Sequence, residues 1–243
     1  FLGNTPGSVP CLARVSVSAV APLAPAELTT TAQESVARRA AFGSDLSILS
    51  EIYQPDVNLS VWNREIDPAL KSEAEALIVS DPSFQKSLGM RADEAPAALQ
   101  NFFPKQNYDA LRADIAWLID AFSYLFDLRE VGLRLAVLDK AMCPKFHVDK
   151  VPCRLITTYT GVATEWLPHD RVNRRFLGPN SPSILSSQPG ICESGDIEIL
   201  ETGAVALLKG ESWEGNEGCG LVHRSPSIAE GRKRLLLTID FGS

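Results

Sequence analysis

Apolar residues recur at helical spacing through much of the first half of the chain, after a start with little periodicity. Residues 1–35 are rich in Pro, Ala, Ser and Thr, and we interpret them as a loosely ordered N-terminal arm. From 36 to 129 the pattern is mainly helical. One helix is predicted to begin at Pro68, with Asp67 as its cap. The strongest helical pattern covers 107–128, and we expect this whole region to pack on the domain that follows it.

The pattern changes to short strands after residue 129. Four runs rich in β-branched residues and Leu, divided by Gly, Pro and Asn, predict strands within 131–143, 153–161, 196–210 and 231–241. One earlier run, VNLSVWNR, also alternates like a strand. Short strands separated by turn residues are typical of an all-β sandwich or barrel, which we assign to residues 130–243. Helices followed by strands favour an α+β protein over an alternating α/β sheet.

Composition and charge narrow the classes of partner. The net charge is −7 and the pI is about 5.1, whereas binding to nucleic-acid phosphates needs a concentrated positive surface. No apolar run approaches the roughly 18–20 residues of a membrane span, and we expect no secretory signal peptide. The five cysteines are scattered, odd in number and without a Cys-x-x-Cys pair, which indicates a reducing cytoplasm. We therefore expect a cytoplasmic protein with no nucleic-acid and no membrane partner.

The stretch CPKFHVDKVPCRLITTYTG places two metal-ligand types two residues apart. In a strand, His147 and Asp149 would project to the same side. An imidazole and a carboxylate are suitable ligands for a divalent first-row metal, and a third ligand would complete one face of an octahedron. His169 and His223 are the two remaining histidines. His223 lies in CGLVHRSPS, just before the final predicted strand.

A zinc site with cysteine ligands is a competing interpretation. Cys143 and Cys219 each lie four residues before a histidine, His147 and His223 respectively. On a strand, four residues span about 13 Å, which is too far for both side chains to reach one ion. Pro144 disfavours the helix that would bring the first pair together. A zinc site that uses a subset of these ligands remains open.

The order His-x-Asp, a distal His and a basic residue on the next strand resembles the Fe(II)/2-oxoglutarate-dependent oxygenases, and in particular their prolyl-hydroxylase-like branch. The resemblance covers roughly residues 130–243. The motifs CPKFHVD, TYTGVATEWLP and HRSP…RLLLTID also resemble a bacterial domain-of-unknown-function family with no assigned substrate. The resemblance implies a double-stranded β-helix, which is a jelly-roll or cupin-like barrel, with Fe(II) as metal and 2-oxoglutarate as cosubstrate.

The resemblance also implies roles for individual residues. His147, Asp149 and His223 would hold the iron. Arg234, eleven residues after the distal histidine, would bind the far carboxylate of the cosubstrate, since a guanidinium can hold a carboxylate through two hydrogen bonds. Arg232 would share the face of Arg234 in a continuous strand and is the alternative. An arginine cluster that only forms a solvated strand edge is also consistent with these residues.

Strand alternation adds secondary candidates. Thr157 and Tyr159 alternate with Ile156 and Thr158, so that one of these pairs should line the barrel interior. We expect Tyr159 either to donate a hydrogen bond to the cosubstrate or to pack in the core. Arg154 could instead reach a carboxylate from the opposing strand.

Three functions remain open from the sequence. The preferred one is an Fe(II)- and 2-oxoglutarate-dependent oxygenase, a hydroxylase of a small molecule or a peptide. Trp166 and the turn-rich loop that begins at His169 could contribute to its substrate specificity. The alternative is a non-catalytic zinc- or iron-binding barrel with a role in sensing or metal homeostasis. In a third, structural function, the His-x-Asp pattern would be coincidental. The sequence does not indicate an oligomeric state.

Overall fold

A large mixed sheet, covered by helices on one face and by a small sheet on the other, organises the protein. The computed structural model describes residues 37–103, 108–177 and 190–242, so the predicted N-terminal arm, residues 1–35, lies outside the described residues. The strands are β1 Arg39–Gly43, β2 Val57–Trp62, β3 Gln85–Arg91, β4 Glu130–Leu138, β5 Cys153–Thr160, β6 Glu165–Leu167, β7 Glu198–Ile199, β8 Val205–Lys209, β9 Val222–Arg224 and β10 Arg234–Phe241. The α-helices are α1 Pro68–Ser80, α2 Ala95–Ala98 and α3 Asp109–Phe126.

The strand order places β5 and β10 near the middle of the large sheet. Its order is β1-β2-β8-β5-β10-β4-β3, and the small sheet has the order β7-β6-β9. In the large sheet β1 and β2 are parallel, and the other neighbouring strands are antiparallel. Short 3-10 helices cover Leu46–Tyr53, Ala92–Glu94, Leu99–Asn101, His169–Arg171, Arg174–Phe176 and Ser194–Asp196.

The two main helices form where the sequence predicts them. Pro68 is the first residue of α1, and the Asp67 side chain caps the helix by accepting a hydrogen bond from the Ala69 amide at 2.7 Å. In α3 the predicted apolar face is buried against the large sheet, including Leu111 and Phe122. Helix propensity, capping and apolar spacing agree in both segments, so that local and tertiary preferences reinforce each other.

The region before residue 130 contributes strands as well as helices. The strand predicted from VNLSVWNR is confirmed as β2. In addition β1 and β3, for which the sequence analysis gave no strand, join the same large sheet. β3 is an edge strand with mostly exposed residues, and its sequence, QKSLGMR, has no β-branched residue. It forms a strand because β4 pairs with it along its whole length. The residues of β3 by themselves do not indicate a strand.

The large sheet separates two apolar cores. The larger core lies between the sheet and the helices, and strand residues such as Leu155, Leu235 and Leu237 enter it. The smaller core lies between the two sheets and includes Ile156 and Leu236. Alternate residues of β5 and β10 thus face opposite layers, as the two-residue repeat of a strand requires.

Two features of the described residues bear on the cellular location: their helices and their cysteines. In the described part of the chain no helix combines the length and the apolar character needed to cross a membrane. The four cysteines within the described ranges are free thiols. A cytoplasmic location stays a prediction.

The packing of α3 generates a first test. Phe122 is buried against the rings of Phe126 and Phe241, with centroid distances of 4.9 and 5.6 Å. We expect Phe122→Ala to lower the free energy of unfolding by about 3–5 kcal/mol, because it removes a buried ring and leaves a cavity. Tyr124, on the same helix, is 90% exposed, and Tyr124→Ala should change stability by less than about 0.5 kcal/mol. Urea unfolding measures both, and equal effects would contradict this packing.

Candidate metal centre

A reciprocal pair of backbone hydrogen bonds joins the two candidate histidines. His147 N donates to His223 O, and His223 N donates to His147 O, both at 3.0 Å. This is an isolated antiparallel bridge, so His147 does not lie within a regular strand, and the strand alternation considered for His147 and Asp149 does not apply. Residues 139–152 contain no regular strand, and Pro144 and Pro152 in this segment lack the amide hydrogen of a ladder. Because directly paired residues project to the same side, the two imidazoles still meet, with ring centroids 4.6 Å apart.

Asp149 completes a group of three metal-ligand side chains. Its Oδ1 lies 3.7 Å from His147 Nε2, and its Oδ2 lies 3.4 Å from His223 Nε2. One ligand atom from each of the three residues lies within 4.8 Å of the other two, the one such group among the described residues. Donors about 2.1 Å from a common ion are themselves roughly 3–3.5 Å apart, which these distances approach. The geometry can therefore accept one metal ion from one side.

The backbone sets the tautomer of both histidines. His147 Nδ1 lies 2.9 Å from Lys145 O, and His223 Nδ1 lies 3.2 Å from Leu221 O. A carbonyl oxygen only accepts, so each Nδ1 must donate its hydrogen, which leaves the Nε2 lone pair free in the neutral ring. Both Nε2 atoms are the ones near Asp149. Such a contact to the second ring nitrogen is typical of metal-ligating histidines.

The two histidines differ in their access to solvent. The His223 side chain is 7% exposed and that of His147 is 34% exposed, so that one is deep in the protein and the other is at the surface. Burial lowers the pKa of His223 to about 4, because desolvation disfavours the charged ring, and the Asp149 carboxylate offsets this only in part. His223 is therefore neutral at pH 7, which is the form that binds metal.

Arg234 is a buried cation that lies near the two histidines. It is the first residue of β10, is 1% exposed, and lines a cavity together with His147 and His223. Its Nη1 donates to Val162 O at 3.2 Å, and its buried Nε has no hydrogen-bond partner. No carboxylate within the described ranges forms an ion pair with it, and burial lowers its pKa to about 10. A buried charge without a counter-ion is costly, so this position is suited to an anionic ligand.

The cavity lies between the two sheets. It is lined by Met142, Cys143, His147, Arg154, Ile156, Thr164, His223, Arg224, Ser225, Arg234, Leu236 and Thr238. Thr164 has a buried hydroxyl without a hydrogen-bond partner, as Arg234 has a buried Nε. The sequence analysis did not single out Thr164, since a Thr after a turn carries no particular signal. No protein group within the described residues satisfies these two polar groups, so both are available to a polar ligand in the cavity.

Arg154 links Asp149 to the large sheet. Its Nη1 donates to Asp149 Oδ2 at 2.7 Å, and its Nε and Nη2 donate to the two oxygens of Asp240, at 2.7 and 2.9 Å. Asp240 lies on β10, the strand that pairs with β5. The role of Arg154 towards the carboxylate of a cosubstrate stays a prediction. Its contact with Asp149, five residues earlier, was not expected.

Thr157 and Tyr159 do not lie in this cavity. Cys153, Leu155 and Tyr159 belong to the core on the helical face, and it is Ile156 that lines the cavity. Tyr159 donates instead to Asp114 Oδ2 at 2.7 Å, beneath helix α3, and its burial raises its pKa. Alternation correctly gave the residues that share a face, but Thr157 and Tyr159 are on the face away from the histidines. The core-packing alternative for Tyr159 describes its position.

Arg232 does not share the face of Arg234. The β10 strand begins only at Arg234, and Arg232 lies in the preceding turn, where its amide donates to Ala229 O at 3.0 Å. It is exposed and lines a separate surface cavity beside Thr160 and Gly161. The rule that residues two apart share a face holds within a strand and fails across its start.

The remaining candidates stay outside the metal-ligand group. Cys143 lines the cavity, but neither it nor Cys219 belongs to the group of close ligand atoms. Trp166 packs in the core between the sheets. His169 Nδ1 lies 3.2 Å from Arg174 Nη2. Burial, and then the positive charge of Arg174, lower the pKa of His169. The loop after His169 lies partly outside the described residues.

Comparison with known proteins assigns the chain to a family. A family profile described as protein of unknown function (DUF1826) matches residues 43–240. The chain belongs to this family. A search of curated proteins gave no significant match.

Several solved structures are similar in part. A rice dioxygenase for auxin oxidation has 11% identity and a TM-score of 0.47, over 85% of this chain and 83% of that one. The Arabidopsis thaliana dioxygenase for auxin oxidation, solved with 2-oxoglutarate, has 10% identity and a TM-score of 0.49, over 85% and 93%. A Pseudomonas putida prolyl-4-hydroxylase has 12% identity and a TM-score of 0.42, over 81% and 97%. With TM-scores below 0.5, we take nothing about this chain's chemistry from them.

A glycine holds Arg234 close to the end of β5. Gly161 has φ +89°, and an added Cβ would lie 2.6 Å from both Arg234 Cβ and Lys233 O. We expect Gly161→Ala to lower the free energy of unfolding by about 1–3 kcal/mol, because the new methyl group must displace β10 or strain the turn.

Gly132 provides the matched control. It lies in β4, and an added Cβ there meets nothing within 4 Å. Gly132→Ala should therefore be neutral or stabilise the protein by up to about 1 kcal/mol. Urea unfolding of both variants checks the contact, and equal stability of the two would contradict it.

Proposed function

We propose that this protein is an Fe(II)- and 2-oxoglutarate-dependent oxygenase that hydroxylates a small molecule or a peptide. The observation that carries the proposal is the convergence of His147, Asp149 and His223. Both histidines line one cavity together with Arg234, which has no carboxylate partner among the described residues. Within this proposal, the two facing sheets correspond to the double-stranded β-helix of that class.

The donor set fits iron. Two neutral imidazole nitrogens and one carboxylate oxygen, with open positions opposite them, are the ligands of non-haem Fe(II) oxygenases. His147, Asp149 and His223 would hold the ion through Nε2, a carboxylate oxygen and Nε2. A closed structural zinc site usually has four protein ligands, often cysteines, and no cysteine is in the group.

The charge of the cavity lining suits a dicarboxylate beside that ion. Arg234 would hold one carboxylate, since its guanidinium is buried, charged and without a carboxylate partner. The unpartnered Thr164 hydroxyl could donate a further hydrogen bond in the same cavity. A bound anion would thereby offset the desolvation of Arg234, which the protein alone leaves uncompensated.

The residues of the chain would prepare the site and the bound groups would supply the oxidation. With oxygen, iron and 2-oxoglutarate would supply a reaction in which the keto acid loses CO₂ and takes up one oxygen atom to become succinate, while the other oxygen atom is transferred to the substrate. Ile156 and Leu236 line the cavity with apolar surface and limit water there. His147 lies on the more exposed side, so we propose that the substrate approaches from that side.

Asp149→Ala tests the metal centre. We expect it to weaken Fe(II) binding at least about 100-fold in an anaerobic titration, because it removes the one anionic ligand. Folding should persist, since Arg154 keeps its two hydrogen bonds to Asp240. Asp170→Ala is the matched control, because the Asp170 side chain is 75% exposed and outside the group. An Asp149→Ala protein with wild-type affinity would disprove the ligand set.

Arg234→Met tests the cosubstrate site through two opposite effects. Affinity for 2-oxoglutarate should fall at least about tenfold, because a charge-assisted hydrogen bond is lost. The unfolding free energy of the ligand-free protein should rise, since an apolar chain of similar length replaces an unpaired buried charge. Isothermal titration calorimetry and urea unfolding measure the two effects.

Arg232→Met is the control for this experiment. Arg232 is exposed in the turn before β10, so its replacement should leave both quantities close to wild type. A loss of 2-oxoglutarate affinity in Arg232→Met, with none in Arg234→Met, would reverse the assignment.

A further inference from the structure

Arg154 holds two carboxylates at once. Nε and Nη2 bind the two oxygens of Asp240 side by side, and Nη1 binds Asp149 Oδ2 at 2.7 Å. A guanidinium is planar and its donors are fixed in direction, so two bonds to one carboxylate determine where the third donor lies. The position of Nη1 beside Asp149 is therefore set by Asp240.

The sheet fixes the Asp240 end of this arrangement. Arg154 on β5 and Asp240 on β10 are direct register partners in the antiparallel ladder. Asp149 lies instead in the segment between β4 and β5, where no regular strand forms. Its backbone is tied down by Glu211 N, which donates to Asp149 O at 2.9 Å. Its carboxylate can still rotate, and Arg154 is the group that connects it to the rigid sheet.

We propose that Arg154 is a positioning residue, which orients the Asp149 carboxylate for the metal, with Asp240 as its anchor. This inference rests on the proposed function, because it takes Asp149 as a metal ligand. Arg154 engages Oδ2, and Oδ1, which lies 3.7 Å from His147 Nε2, remains for the ion.

Two effects of Arg154 on the metal oppose each other. Its positive charge repels a divalent cation, and its hydrogen bond holds the ligand in place. The side chains of Arg154 and Asp240 are 26% and 27% exposed, so water and the Asp240 charge screen the repulsion. Solvent does not screen the orienting effect of the hydrogen bond in this way. Loss of a hydrogen bond to a metal ligand commonly lowers metal affinity by about 10- to 100-fold. We therefore expect the orienting effect to dominate.

A pair of Arg→Lys variants tests the role. Lysine keeps the charge but has a single ammonium group, which cannot hold both carboxylates in the same geometry. Arg154→Lys should weaken Mn(II) and anaerobic Fe(II) binding by about tenfold or more. Arg64→Lys is the matched control, since Arg64 forms a comparable two-bond pair with Asp114, which in turn accepts from Tyr159 on the opposite face of the sheet. It should lose stability and keep wild-type metal affinity.

Asp240→Asn makes the test independent of the folding of Arg154→Lys. It preserves the shape of the anchor and removes its charge, so metal affinity should fall by less than in Arg154→Lys. The visible spectrum of bound Co(II) should change in Arg154→Lys, because it reports the ligand geometry, and should stay unchanged in Arg64→Lys.

The outcomes separate this inference from the proposed function. Reduced metal affinity in Arg154→Lys, with a smaller loss in Asp240→Asn and none in Arg64→Lys, supports the positioning role. Wild-type affinity in Arg154→Lys, tighter binding, or an equal loss in Arg64→Lys would overturn it while the metal centre stands. If the wild-type protein itself binds neither metal, both the proposed function and the role of Arg154 are wrong.

Discussion

Strands β5 and β10 lie side by side in the large sheet. One face of each strand packs in the helical core, and the other face meets the space between the two sheets. One face of β10 enters the helical core through Leu235 and Leu237, whereas Arg234 and Leu236 face the cavity between the sheets. The period of two in a strand makes this division obligatory. The apolar face keeps the strands in register, and that register sets the positions of the polar groups on the other face.

The two arginines of the candidate site differ in their charge partners. Arg154 is fully compensated by two carboxylates, while Arg234 is buried without one. Under the proposed function, a bound anion would supply the partner that Arg234 lacks. The reciprocal bridge between His147 and His223 brings the metal-ligand end of the cavity to the small sheet. Ligands and cation thus come from both layers, and neither layer forms the site alone.

Much of this arrangement follows from the sequence, and the exceptions have physical reasons. Helices α1 and α3 and the β5 and β10 strands were predicted because apolar spacing and turn residues agree there. β3 was missed because its partner, and not its own residues, makes it a strand. Alternation showed that Thr157 and Tyr159 share a face but could not show which layer that face meets. Arg232 was grouped with Arg234 because the start of the strand is not visible in a run of basic residues.

The most direct test of the account is an anaerobic titration of the metal-free protein with Fe(II) and 2-oxoglutarate, followed by admission of oxygen. We expect a visible charge-transfer band that requires both components, is absent in His147→Ala, and decays with oxygen as succinate forms. Metal binding without this band would contradict the oxygenase proposal and favour a metal-binding protein without turnover. No metal binding at all would mean that His147, Asp149 and His223 are close together for structural reasons only.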